Sequence, residues 1–272
     1  MERDIEAIKG LSLQSVKRYM RFTGWSRSQR VGGGLELYVL HDGEQPPVEV
    51  VLPEAPSPDA LRGVFFALRS ISQLHGLTIP ELVTTVQSLG FDIIRPKLPD
   101  HIVRNDSITL EVAAGFISKL KHIMESSATA ELGRERYFPR VLKEAQDYAQ
   151  RCRFGHTFRG SFGFVIESPI QQNNEPTIDG FDQEPPFERK VVQRIARGLK
   201  AIVAAKAADD PSLLVQDYGS GLNANMAEEL ADVIEIVGGA TVAFGITLSP
   251  EWRSPPDLPA QSQVEIGSGC VD

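Results

Sequence analysis

Apolar and polar positions alternate along the chain with two different periods. Residues 61–71 place an apolar side chain at every third or fourth position, which predicts an amphipathic helix. The runs LELYVL (35–40) and VEVVLP (48–53) are rich in apolar and β-branched residues on both sides of an Asp-Gly turn signal, and they predict a hairpin. A chain that mixes such helices with antiparallel strands is predicted to have an α+β fold.

Further segments carry the same two periods, and capping signals help to delimit them. Thr78 with Glu81, and Asn225 with Glu228, have the spacing of a capping box, so each pair predicts the start of a helix. The other predicted helices lie at 13–22, 113–131, 141–150 and 192–202. The other predicted strands lie at 91–96, 107–110, 151–157, 161–169, 240–248 and, at a sheet edge, 263–267.

Both halves of the chain repeat one order of predicted elements: helix, hairpin, helix, helix, strand. This order, in 13–96 and in 141–249, suggests a degenerate tandem duplication of an αββααβ unit. Residue identity between the halves is negligible, and an α+β chain can also reach this order without duplication. The predicted organisation is an N-terminal α+β unit (1–100), a connecting strand and helix (101–139), a C-terminal α+β unit (140–249) and a proline-rich tail (250–272).

The composition indicates a cytoplasmic protein. The two cysteines, Cys152 and Cys270, are far apart in sequence, which argues against a disulfide framework. The first residues carry acids where a signal peptide needs cations and lack its apolar core, and no apolar run reaches the ~18 residues of a membrane helix. The five histidines have no metal-ligand spacing and the glycine runs lack the lysine of a P-loop, so we expect neither a metal nor a cofactor.

The net charge of −8 is unevenly distributed. Residues 173–272 carry 16 acids and 7 bases, whereas residues 1–172 carry 20 acids and 21 bases. Two stretches of the first part combine cations with aromatic rings and contain no acid. A locally cationic surface can contact an anion even on an acidic protein, because the local field decides the contact.

The first cationic stretch spans residues 11–35 and includes the first predicted helix. Three aromatic residues lie among its cations, a combination that suits contact with phosphate and bases. If the duplication holds, this stretch and the second one occupy equivalent positions and can line one groove. Its candidate phosphate contacts are Lys17, Arg21 and Arg27.

The second cationic stretch is RCRFGHTFRGSF at 151–162, which is predicted to form part of a hairpin with its turn at 158–160. Alternate residues of a strand share a face, so the arginines of its first strand are expected on the solvent side. Arginines and backbone amides near the turn can hold a phosphate, and Phe158 is available for stacking. The candidate contacts for phosphate or nucleic acid are Arg151, Arg153, His156, Arg159 and Ser161.

Other interpretations of the same residues stay open. The arginines can instead pair with acids of the C-terminal half in a purely structural hairpin. His156 and Ser161 can line the pocket of an unrecognised enzyme, although Arg159 stands where a nucleophile elbow has a glycine. The polar segment 171–186 and the proline-rich tail can serve a protein–protein scaffold.

Four blocks of the sequence resemble an uncharacterised family of bacterial proteins that is associated with defence or mobile-element genes. These blocks are GWSRSQRV, VEVVLP, RFGHTFRGSFGFVIESPI and GLNANMAEEL. The resemblance implies no activity and no catalytic residue. With the charge pattern, it leads us to expect a non-enzymatic intracellular subunit of a bacterial anti-phage defence complex, with a protein partner from a neighbouring gene. We expect it to contact DNA or RNA through the two cationic stretches, and a scaffold or an enzyme are the alternatives.

Overall fold

The computed structural model of the chain describes residues 8, 11–41, 46–55, 60–105, 107–133, 135–155, 162–171, 184–216 and 221–270. The chain divides into two compact units, unit 1 (Met1–Leu89) and unit 2 (Gly90–Asp272). Both units combine helices with an antiparallel sheet, so the predicted α+β fold is confirmed. Within the described residues, no helix is long and apolar enough to cross a lipid bilayer.

Unit 1 is built from short helices and one small sheet. Its elements are α1 (Leu13–Phe22), β1 (Ser26–Val31), β2 (Leu35–Leu40), β3 (Val48–Pro53), α2 (Ala60–His75) and α3 (Ile79–Gln87). The three strands pair antiparallel in the order β1, β2, β3. Val16 of α1, Leu52 of β3 and Leu68 of α2 are fully buried in one apolar cluster. The predicted hairpin of β2 with β3 and the capping box at Thr78 are both confirmed.

Strand β1 was not predicted, because its sequence SRSQRV has no apolar alternation. It forms through backbone pairing with β2, which begins with Ser26 opposite Val39. The turn between the two strands contains Gly33 and Gly34 at φ values of +83° and +75°. Positive φ favours glycine, so the glycine run serves as a turn, as predicted.

Unit 2 is built on a larger sheet with helices against it. Its elements are β4 (Phe91–Lys97), α4 (Leu110–Gly133), α5 (Lys143–Arg151), β5 (Arg153–Gly155), β6 (Val165–Pro169), α6 (Phe187–Ala208), α7 (Ser212–Gln216), α8 (Ala224–Ile236), β7 (Val242–Thr247) and β8 (Gln261–Ile266). The strands pair antiparallel in the order β5, β6, β4, β7, β8. Alternate strand residues such as Ile94, Ile166, Phe244 and Val264 pack with the helices in one apolar core.

The structure changes the predicted organisation at the boundary between the halves. The sequence placed β4 in the N-terminal unit (1–100), but β4 pairs with both β6 and β7 and so lies at the centre of the sheet of unit 2. The β2–β3 hairpin and β4 therefore belong to different sheets, and the two predicted αββααβ units do not form equivalent sheets. The edge strand predicted at 263–267 is confirmed as β8.

Two local predictions are wrong. Residues 107–110 were predicted as a strand, but Leu110 begins α4, and the Thr109 hydroxyl before it accepts the backbone N–H of Val112 at 3.3 Å. Asn225 was predicted to cap α8, but the cap is Asn223, whose Oδ1 accepts the backbone N–H of Met226 at 2.8 Å. The side chain of Asn225 instead binds the backbone of the connection between α4 and α5.

A buried ion pair joins three parts of unit 2. Asp92 of β4 and Arg189 in the first turn of α6 are both fully buried, with Asp92 Oδ2 and Arg189 Nε 2.9 Å apart. Ser249, which follows β7, donates its backbone N–H to Asp92 Oδ1 at 2.8 Å and accepts a hydrogen bond from Arg189 Nη2 at 2.6 Å. Burial raises the pKa of Asp92 to about 6, although the charge of Arg189 opposes that shift. Glu251 is a third buried charge that interacts with both members, and loss of either member leaves the other with one compensating group fewer.

Replacing one member of this pair is expected to destabilise unit 2. Asp92→Asn and Arg189→Met should each lower the free energy of unfolding by ~3–5 kcal/mol, because each leaves the other member unpaired or incompletely bonded. Urea denaturation followed by Trp252 fluorescence, in a Trp25→Phe background, reports on unit 2. The control Glu265→Gln changes an exposed acid and should have little effect. A double variant that loses the sum of the two single losses would contradict the pairing.

Candidate functional site

The predicted phosphate contacts are distributed over both units. His156, Arg159 and Ser161 lie outside the described residues. The expectation that the two cationic stretches line one groove stays a prediction, because the stretches belong to different units. The described candidates are Lys17, Arg21 and Arg27 in unit 1, and Arg151 and Arg153 in unit 2.

In unit 1, one buried carboxylate holds two of the predicted contacts. Glu36 of β2 is 4% exposed, and its Oε2 accepts hydrogen bonds from Lys17 Nζ at 2.7 Å and from the Tyr38 hydroxyl at 3.1 Å. Its Oε1 lies 3.1 Å from Arg27 Nη1. The hydrogen bond from Lys17 lowers the pKa of Glu36, whereas burial and the adjacent carboxylate raise the pKa of Tyr38 to about 12. Lys17 and Arg27 therefore join α1 and β1 to β2.

Two other candidates keep exposed guanidinium groups. Arg21 lies in the last turn of α1, where a cation interacts favourably with the helix dipole. Arg153 lies on β5, opposite Glu167 of β6 in the strand register. In the part of the chain that the structure describes, neither arginine forms an ion pair with a carboxylate. Phe154, beside Arg153, is 52% exposed.

Arg151, the last residue of α5, is engaged in an ion pair. Its Nη2 donates to Glu188 Oε1 at 3.0 Å. Glu188 lies in the first turn of α6, where the helix dipole favours a carboxylate. This contact is the kind that the structural interpretation of the hairpin expected, because Glu188 is an acid of the C-terminal half.

Arg151 also lines an open groove in unit 2, which we call the α5 groove. Its volume is about 600 Å³. The polar lining comes from one face of α5, on which residues three or four positions apart are neighbours. The lining residues are Leu132, Glu144, Asp147, Gln150, Arg151 and Phe187.

The aromatic wall of the α5 groove is anchored in the core. The ring of Phe187 meets the ring of Tyr148 edge to face, with centroids 5.7 Å apart. Tyr148 is fully buried, and its hydroxyl is hydrogen-bonded to Ser168 Oγ at 2.7 Å. The other apolar lining residue is Leu132, near the end of α4, which is 45% exposed. The groove therefore offers fixed apolar surface on elements that pack into the core.

The lining of the α5 groove contains two acids and one cation. Glu144 and Asp147 are exposed, and among the described residues neither has a cationic partner, whereas Arg151 is already paired with Glu188. Carboxylates beside apolar walls suit a ligand that combines a cation with apolar groups. Such a ligand is opposite in charge to the phosphate that the sequence predicted near Arg151.

Sequence reasoning missed the groove for a physical reason. The spacing of Glu144 and Asp147 is visible in the sequence, but such a pair is usually a solvated helix face. The groove also needs Leu132 and Phe187, which come from two other helices. Only the packing of α4, α5 and α6 brings these side chains together.

Groups with catalytic or metal-binding potential are few in the described part of the chain. Burial raises the pKa of the Cys152 thiol to about 11, so the reactive thiolate is scarce at neutral pH. Across the described ranges, no three His, Cys, Asp or Glu side chains are grouped so that they can hold a metal ion. The predicted enzyme pocket at His156 and Ser161 stays a prediction, because both residues lie outside these ranges.

No family model, no curated protein and no solved structure matches the chain. The resemblance to a family of bacterial proteins therefore stays a prediction. The function has to be argued from the geometry of the described residues.

Proposed function

We propose that the protein is a non-enzymatic binding subunit that holds a basic, partly apolar segment of a protein partner in the α5 groove. The observation that carries this proposal is that two carboxylates, Glu144 and Asp147, form no ion pair among the described residues and share the groove lining with the apolar side chains of Leu132 and Phe187. A lysine or arginine of the partner would pair with the carboxylates, and its apolar neighbours would pack on the two walls. A protein–protein scaffold was among the alternatives that the sequence left open, although that alternative used segment 171–186 and the proline-rich tail.

The shape and the charge of the groove both favour a peptide segment. The groove is open, so a chain can pass through it while a few of its side chains fill the volume. The two carboxylates and the net charge of −8 disfavour a polyanion at this place. Membership of a bacterial defence complex rests on the sequence resemblance alone and stays a prediction.

Two short fluorescent peptides that differ only in charge test the proposal. Both contain leucine and phenylalanine, combined in one with arginine and in the other with glutamate. The arginine peptide should bind the full chain, and Glu144→Gln/Asp147→Asn should weaken its binding by about tenfold or more, because the charge pairs are lost. Fluorescence anisotropy measures both affinities.

The matched control is Glu111→Gln/Glu265→Gln, which removes two exposed acids of unit 2 outside the groove. It should leave the affinity unchanged. Arg151→Ala removes a cation from the groove and should not weaken binding of the arginine peptide. Equal affinity for the two peptides, or equal affinity of the wild type and the Glu144/Asp147 variant, would overturn the proposal.

A second candidate function is contact with DNA or RNA, as the sequence predicted. Arg153 favours it, because it is exposed and forms no ion pair within the described part of the chain. An exposed arginine can bind a phosphate of a nucleic acid through its guanidinium group. The candidates His156, Arg159 and Ser161 follow in the sequence.

Binding of a labelled single-stranded oligonucleotide at several salt concentrations tests this candidate. Arg153→Ala should lower the affinity and reduce the slope of log affinity against log salt by about 1, because one phosphate contact is lost. Arg151→Ala is the matched control and should have a smaller effect, because Glu188 already pairs with its charge. A wild-type chain that retains no oligonucleotide at low salt would rule the candidate out.

A further inference from the structure

Helix α2 has an exposed face that takes no part in the function proposed for the α5 groove. Its sequence ALRGVFFALRSISQLH contains no acid. The two adjacent phenylalanines point in different directions, since Phe65 is buried in the core of unit 1 while Phe66 is 53% exposed. Leu74, two turns further along the helix, is 39% exposed. The exposed residues between Arg62 and Leu74 are Arg62, Phe66, Arg69, Ser70, Gln73 and Leu74.

These exposed side chains form an ordered stripe. At ~100° per residue, Arg62 and Arg69 project on one side of Phe66, and Leu74 projects on the other side. The Arg62 guanidinium carbon lies 6.0 Å from the centroid of the Phe66 ring, over its face. The stripe therefore has a cationic edge, an aromatic centre and an aliphatic edge. It extends over about three helical turns, or ~18 Å.

No described carboxylate pairs with the arginines of the stripe. Within the described residues, neither Arg62 nor Arg69 forms an ion pair with a carboxylate, in contrast to Lys17 and Arg27 on Glu36. Single exposed apolar side chains are normal on a protein surface. A phenylalanine and a leucine beside two arginines without an ion pair in the described part of the chain instead make a surface that is complementary to a partner with acidic and apolar side chains.

We propose that this face of α2, defined by Arg62, Phe66, Arg69 and Leu74, docks an acidic amphipathic helix of a protein partner. The carboxylates of the partner would meet the arginine edge, and its apolar stripe would cover Phe66 and Leu74. A protein helix fits better than a nucleic acid, because half of the stripe is apolar and two cations bind few phosphates. This surface goes beyond the proposed function, since the α5 groove lies in unit 2 and selects the opposite charge.

Two synthetic helical peptides serve as probes of this surface. They share one leucine stripe and differ in carrying glutamate or lysine at the flanking positions. The glutamate peptide should bind the full chain and the lysine peptide should not. Phe66→Ala and Arg62→Gln/Arg69→Gln should each weaken binding of the glutamate peptide by about tenfold or more in fluorescence anisotropy.

Control variants separate this proposal from a general charge effect and from the α5 groove. Arg104→Gln changes an exposed arginine of unit 2, and Glu144→Gln/Asp147→Asn changes the α5 groove. Neither variant should alter binding of the glutamate peptide. The substituted side chains of α2 are exposed, so circular dichroism should show unchanged folding.

Several results would overturn the proposal. Equal binding of the two peptides, or unchanged binding by both α2 variants, would show that the stripe does not select an acidic helix. Binding of a single-stranded oligonucleotide or of anionic vesicles that depends on Arg62 and Arg69, without binding of the glutamate peptide, would assign the surface to a polyanion. Self-association that Phe66→Ala abolishes, without peptide binding, would assign it to a second copy of the chain.

Discussion

Buried carboxylates decide which cations of this protein are available to a ligand. In unit 1, Glu36 holds Lys17 and Arg27, and in unit 2, Asp92 holds Arg189. A buried charge needs an opposite charge and hydrogen bonds, so these cations are fixed by the interior. Lys17 and Arg27 are therefore engaged within the protein, whereas Arg21 and Arg153 stay exposed.

The charge of each candidate surface follows from the pairing of its own residues. The α5 groove is acidic because Arg151, its one lining cation, is paired with Glu188. The face of α2 is cationic because its helix contains no acid that can pair with its arginines. Each surface also has apolar side chains, and the combination favours protein partners of opposite charge at the two places. A protein with two such surfaces fits the role of an adaptor between partners.

The sequence predicted the helices and strands that have a strong hydrophobic period. It did not predict features that depend on contacts between residues distant in sequence. The buried apolar face of α2 and the hairpin of β2 with β3 depend on residues that are close in sequence, and the structure contains both. Strand β1 has no apolar pattern and exists only through its partner strand. The pairing of Lys17 with Glu36 joins residues of two elements, so an acid-free stretch was no sign of free cations. Phe66, which leaves the apolar stripe of α2, was a sequence signal for an exposed surface.

The titration of Glu36 tests most directly whether internal carboxylates hold the cations. We predict from its contacts that the pKa of Glu36, measured by carboxyl NMR in the full chain, lies below its ordinary value and rises in Lys17→Met. The ionised Glu36 then contributes stability at pH values above its ordinary pKa. This stability is lost as the pH falls through the lowered pKa of Glu36 in the folded chain. A pKa of Glu36 at or above its ordinary value, unchanged in Lys17→Met, would contradict the account.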